Sequence, residues 1–165
     1  MEIMKRPKLN IPRSKIEIIL DIFCLLLIIG NIVYLMFEYP SLSSRIPIHF
    51  NGDVPDGWGN KGMLWVLPAV SIVIALGLTI LERFPHTFNY SHLSEVNIEK
   101  QYKNARQMMN VFKAESTLLF VYYSWQWIQL TMKNNVGLGI WEIPIILVII
   151  IGTIVFFIVR SARIK

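Results

Sequence analysis

Long apolar runs dominate this chain, and their lengths suit a lipid bilayer. Four of them approach the ~20 residues needed to cross ~30 Å of hydrocarbon at ~1.5 Å per residue. The pattern predicts membrane helices at about 16–37, 63–81, 112–132 and 140–159. The first run, Ile16 to Phe37, is interrupted by Glu17 and Asp21 near its start, and the second, Met63 to Leu81, stops at Glu82 and Arg83. The third has a shorter and more polar apolar core, Ser116 to Met132. The fourth, Ile140 to Val159, opens on Trp141 and Pro144 and stops at Arg160. A proline there costs little, because the first turn of a helix has no partner for that N–H. The first run is too long for the apolar region of a cleaved signal peptide, and Phe37-Glu38-Tyr39 offers no small-residue cleavage site, so it is expected to remain as an anchor.

Between the second and third runs the period changes. From Ser94, an N-cap residue with Glu95 behind it, Ile98, Tyr102, Ala105, Met109 and Phe112 recur at spacings of three and four. This predicts an amphipathic helix over about 94–110, with Lys100, Lys103 and Arg106 on its other faces, running straight into the third membrane helix because no Gly or Pro intervenes. Between the first and second runs lies Arg45-Ile-Pro-Ile-His-Phe-Asn-Gly-Asp-Val-Pro-Asp-Gly-Trp-Gly-Asn-Lys61. Ile46, Ile48 and Phe50 alternate with Pro47, His49 and Asn51, the period of a short extended segment. Asn51-Gly52 and Pro55-Asp56-Gly57 follow as two turn signals. The segment 45–61 is expected to be a compact folded loop.

Charge adds orientation. With 165 residues, 54% of them hydrophobic, and 16 basic against 11 acidic residues, the chain is too apolar for a soluble domain. Its basic residues cluster beside the apolar runs and form no stripe for nucleic acid. Five Lys or Arg precede the first run, five lie from Arg83 to Lys113 and three in the tail, whereas Arg45, Lys61 and Lys133 occupy the opposite side. Thirteen against three places both termini in the cytoplasm. Tyr39, Trp58, Trp65, Trp125, Trp127 and Trp141 sit at the outer ends, as an interfacial aromatic belt does. The expected fold is an all-α integral membrane protein: one domain over 1–165, four transmembrane helices, N-in/C-in, with one ordered extracytoplasmic loop.

Candidate chemistry concentrates in that loop. His49, Asn51, Asp53 and Asp56 are residue types that ligate divalent metals or move protons, but no HExxH or paired-Cys spacing accompanies them. Hydrogen bonds that hold the turns together account for the same residues. A third reading is recognition of an external ligand, with Phe50 and Trp58 as aromatic anchors and the carboxylates selecting a cationic partner. Lys61 closes the loop at the mouth of the second helix. In the third helix Glu115, Tyr122, Gln126, Gln129 and Lys133, spaced seven, four, three and four apart, share one polar face directed at neighbouring helices. Glu115 is expected near the cytoplasmic end, in reach of water or Lys113. Asp21 is expected to pair with a basic neighbour and Asn31 to bond across helices. Cys24 is the single cysteine, so no disulfide framework or Cys metal site is expected.

The string IPIHFNGDVPDGWGNK between a first and a second membrane helix resembles the signature of a bacterial membrane domain of unknown function. That domain also forms the N-terminal part of the SdpI family of immunity proteins against a secreted killing peptide. Phe88-Asn89-Tyr90 and Gln101-Tyr102-Lys103-Asn104-Ala105-Arg106 resemble it as well, so the likeness runs along nearly the whole chain. It implies a four-helix protein of a Gram-positive cytoplasmic membrane. SdpI-type immunity proteins carry further membrane helices after this half, a departure here. They are also thought to hold a transcriptional repressor at the membrane, which would direct attention to the stretch from Ser94 to Asn110. The leading expectation is a non-enzymatic protein without cofactor that senses, or gives immunity to, a membrane-active peptide or antibiotic. Its partners would be the bilayer, that external peptide or antibiotic, and a membrane or cytoplasmic protein that receives the signal. The alternatives are an accessory subunit of a membrane transporter, docked through Gln126 and Gln129, and a metal-dependent enzyme using His49, Asp53 and Asp56.

Overall fold

The computed structural model describes residues 6–51, 54–134, 137 and 139–165, and of Phe50 the backbone alone. Helix α1 (Lys15–Glu38) begins with a capping box. Glu17 N–H donates to Ser14 Oγ (3.4 Å) and Ser14 N–H donates to Glu17 Oε2 (2.6 Å), so two backbone donors without helical partners are satisfied reciprocally. A 3₁₀ turn at Tyr39–Ser41, which Pro40 favours, ends the helix. Strands β1 (Arg45–Asn51) and β2 (Val54–Asn60) then pair antiparallel, and a 3₁₀ turn (Lys61–Trp65) leads into α2 (Val66–Leu81). Helix α3 (Ile98–Thr131) runs unbroken for 34 residues, and α4 (Glu142–Arg163) follows another 3₁₀ turn.

The hairpin corrects the all-α expectation: the fold is mostly helical with a two-stranded sheet. It also corrects the second turn signal, since Pro55, Asp56 and Gly57 lie inside β2. Cross-strand pairing overrides local turn propensity there, and proline is tolerated because each strand has one unpaired edge. The amphipathic stretch is likewise revised. Ser94 and Asn97 bond each other's backbone N–H through their side chains, but the helix itself starts at Ile98. Its buried face mixes Tyr102 and Ala105 with Gln101, Asn104 and Arg106, where an apolar stripe was expected. Tyr90 packs on Tyr102 at 5.5 Å between centroids and donates to the Pro85 carbonyl (2.8 Å); burial pushes its hydroxyl well above the ordinary range, so it stays neutral.

Three described helical segments are long and apolar enough to cross a membrane: Lys15–Ser41, Lys61–Leu81 and Gly139–Arg163. Their exposed residues are largely Ile, Leu, Val and Phe, the surface a bilayer requires. Helix α3 is not among the three, yet it packs against α1, α2 and α4. It is the helix around which the others gather.

Candidate functional site

At one end of the bundle Leu35, Leu42, Ile46, Leu64 and Ile128 form a buried apolar cluster, flanked by Tyr34, Tyr39, Trp65 and Trp127. Ile46, fully buried, is the side chain by which β1 plugs into it. Three polar contacts fix the hairpin on this seat. Trp127 of α3 donates its indole N–H to the Pro47 carbonyl (2.7 Å). Lys61 donates to the carbonyls of Tyr39 (3.0 Å) and Leu42 (3.2 Å), with its ammonium 4.6 Å from the Tyr39 ring centre. Asn60 accepts from the Gly62 N–H (2.7 Å) and caps the turn into α2. The glycines of the motif serve close approach: a Cβ at Gly57 would stand 2.8 Å from His49 Cβ, and one at Gly59 would meet Ile48 and Met63 at 2.9 Å.

What the hairpin presents is polar and aromatic. His49 and Asp56 pair through Nδ1 and Oδ1, with their side chains 72% and 44% exposed. Trp58 is half-exposed and Asn51 is exposed. Thus His49, Asn51, Asp56 and Trp58 are at the surface, while Lys61 is a fastening. Asp53 and the Phe50 side chain lie outside the described residues. No group of three or more His, Cys, Asp or Glu side chains is arranged to hold a metal ion among the described residues.

The polar face of α3 divides between two neighbours. Glu115 accepts from Thr153 of α4, and Gln126 donates to Glu142 at the start of α4 (3.3 Å). Gln129 instead donates to the Tyr34 hydroxyl of α1 (2.7 Å) and accepts from Asn134 (2.7 Å). Tyr122 lines the groove between α3 and α4. Lys133 is exposed and leaves this face: it holds φ 65° and closes α3, with Lys133 N–H on Leu130 O and Asn134 N–H on Gln129 O. Glu115 does not reach Lys113, because two residues along a helix turn the side chain to the opposite side.

Asp21 pairs with basic neighbours, Arg13 and Lys113, as expected, but the wider network around Lys113 escaped the pattern reading. The Lys113 ammonium lies 2.6 Å from Glu82, 2.7 Å from Asp21 and 3.1 Å from Thr79 Oγ1. Arg106, expected off the apolar stripe, is nonetheless 9% exposed; it donates to both Glu17 oxygens (2.7 and 3.2 Å) and to the carbonyls of Ile11 (2.6 Å) and Pro12 (2.8 Å). Arg13 pairs with Asp21 and Glu82, and Asn110 donates to Asp21 (2.8 Å) and Glu82 (3.3 Å). Three carboxylates meet three cations, so α1, α2 and α3 are cross-tied at the end opposite the hairpin with no net charge. A signal was present: Glu17 and Asp21 one turn apart inside an apolar run, and Arg106, Asn110 and Lys113 at spacings of four and three.

No curated protein and no solved structure matches the chain significantly. A family model does, and it covers residues 26–72: the second half of α1, the hairpin, the part of its seat before α3, and the first turns of α2. The segment that builds the hairpin and inserts Ile46 into the bundle therefore carries the match to the family described as a domain of unknown function, DUF1648.

Proposed function

We propose that this chain is a non-enzymatic receptor-like protein of a bacterial cytoplasmic membrane that senses, or protects against, a membrane-active peptide or antibiotic through the hairpin. In this reading α3 is a fourth crossing helix, its polar side chains shielded by α1, α2 and α4, and both termini are cytoplasmic as the Lys and Arg distribution directs. The observation that carries the reading is a hairpin clamped to the bundle by Ile46, Lys61 and Trp127 while it presents His49, Asp56 and Trp58 outward. A rigid scaffold bearing an aromatic anchor and a carboxylate suits recognition, because little ordering remains to be done on binding. Helix α3 supports passage of the bound state inward. At ~1.5 Å per residue it is about 50 Å long, and about 30 Å of it separates Trp127 beneath the hairpin from Arg106 in the charge network.

The experiment is survival of a sensitive Gram-positive host across a panel of membrane-active peptides. It compares no protein, the wild type and a variant with His49, Asp53, Asp56 and Trp58 all replaced by Ala, at matched membrane levels. Protection by the wild type alone is expected. Equal protection by the variant removes the hairpin from the function, and protection by neither removes the reading.

A further inference from the structure

Helices α3 and α4 are tied through Gln101, Asn104 and Glu115 over one half of their contact and through Gln126 at its far end, and they part between Glu115 and Gln126. At one end Gln101 donates to Ser161 O (3.0 Å) and Asn104 to Phe157 O (3.2 Å); at the other Gln126 meets Glu142. Between these ties lies a cavity of about 280 Å³ with Phe112, Leu119, Ile146, Ile149 and Ile150 in its wall. Leu118 and Ile149 at its margin are about half exposed, so it opens on the apolar outer surface of the bundle. The volume is nearly twice the ~150 Å³ cavity that admits benzene, room for an alkyl chain or a bicyclic ring.

Two carboxylates also line this apolar cavity. They are no cluster: Glu115 and Gln126, which contacts Glu142, stand about 16 Å apart along α3 at ~1.5 Å per residue. Glu142 accepts from Gln126 through Oε2 and has the Tyr123 hydroxyl beside it, while its Oε1 has no hydrogen-bond partner among the described residues. Glu115 uses one oxygen, Oε1, to accept from Thr153, while Oε2 is shielded from solvent and has no hydrogen-bond partner among the described residues. Neither acid is in an ion pair among those residues, since the nearby Lys113 is committed to Glu82 and Asp21 on the other side of α3. A carboxylate within an apolar groove is costly unless a cation meets it.

We propose that this groove takes a small amphiphilic organic cation from the apolar phase, its hydrocarbon part against Phe112, Leu119, Ile146 and Ile149 and its ammonium on Glu115 Oε2. The chemistry of the wall dictates both halves: apolar volume for the tail, and for the head the unpartnered oxygen of the carboxylate that has the fewer donors beside it. The inference goes beyond the hairpin reading and does not depend on it.

The test is equilibrium binding of radiolabelled decyltrimethylammonium to the full chain in nanodiscs of zwitterionic lipid, with decanol and decyl sulfate as competitors of equal chain length. Saturable one-to-one binding is expected, with little competition from either. Glu115→Gln weakens it at least tenfold, Ile149→Trp abolishes it by filling the groove, and Glu142→Gln changes it less than twofold, all at wild-type melting temperature. Equal binding by Glu115→Gln, or equal competition by decanol, overturns the proposal and leaves a groove for lipid chains only. Loss with Glu142→Gln but not with Glu115→Gln overturns it as well. The His49/Asp53/Asp56/Trp58 variant keeps full binding, which separates this result from the survival assay.

Discussion

Replacing Arg106 with methionine keeps the length of the side chain and removes its four donated bonds. Glu17, 1% exposed, is then left as a carboxylate with the Ser14 N–H as its remaining close donor, and the Ile11 carbonyl loses its partner. Stranding one member of a buried ion pair costs about 3–5 kcal/mol. The pair itself is worth much less than that, because both charges were desolvated to make it. Glu17→Gln combined with Arg106→Met should therefore recover ~2 kcal/mol relative to the sum of the single variants, since the glutamine amide keeps the capping bond to Ser14 without the charge. The assay is equilibrium unfolding in mixed detergent micelles, followed by far-ultraviolet circular dichroism, for wild type, both singles and the double. A single Arg106→Met within ~1 kcal/mol of wild type, or additive singles, would refute the account of the network.

Lys133→Gly should stabilise the protein by about 1 kcal/mol in the same unfolding assay, because Lys133 holds a left-handed conformation that favours glycine; a destabilised variant would count against the helix-end reading. Gly57→Ala should cost ~1–3 kcal/mol locally, as its Cβ would stand 2.8 Å from His49 Cβ. Faster amide exchange in β1 and β2 with unchanged exchange in α3 is the expected readout, and Gly77→Ala, with nothing within 4 Å, is the control.

The lipid-facing helices were legible because a bilayer imposes apolarity on almost every outward position, as in Ile140 to Val159, and run length then suffices. Of the ion pairing only the need of Asp21 for a basic neighbour was legible, because Glu17 and Arg106 lie 89 positions apart and helical periodicity identifies a face without naming its partner. Arg106 was thus grouped with Lys100 and Lys103 off the apolar stripe. In the hairpin the alternation of Ile46 and Ile48 marked the strand, whereas Pro55-Asp56-Gly57 misled, because the same glycine that permits a turn also permits His49 to lie across it. The third-helix face was visible as a spacing, but its division between α1 and α4 follows from how the helices cross.

The order in which the charge network enters the chain bears on biogenesis. Glu17, Asp21 and Glu82 are synthesised on α1 and α2 before Arg106, Asn110 and Lys113 emerge on α3. In the proposed four-helix arrangement, α3, too polar to partition by itself, meets an acidic socket already in place, and its insertion becomes conditional on two correctly seated predecessors. In that arrangement a nascent chain that misplaces α1 or α2 has nowhere to put α3, and the defect is exposed to quality control before α4 is made.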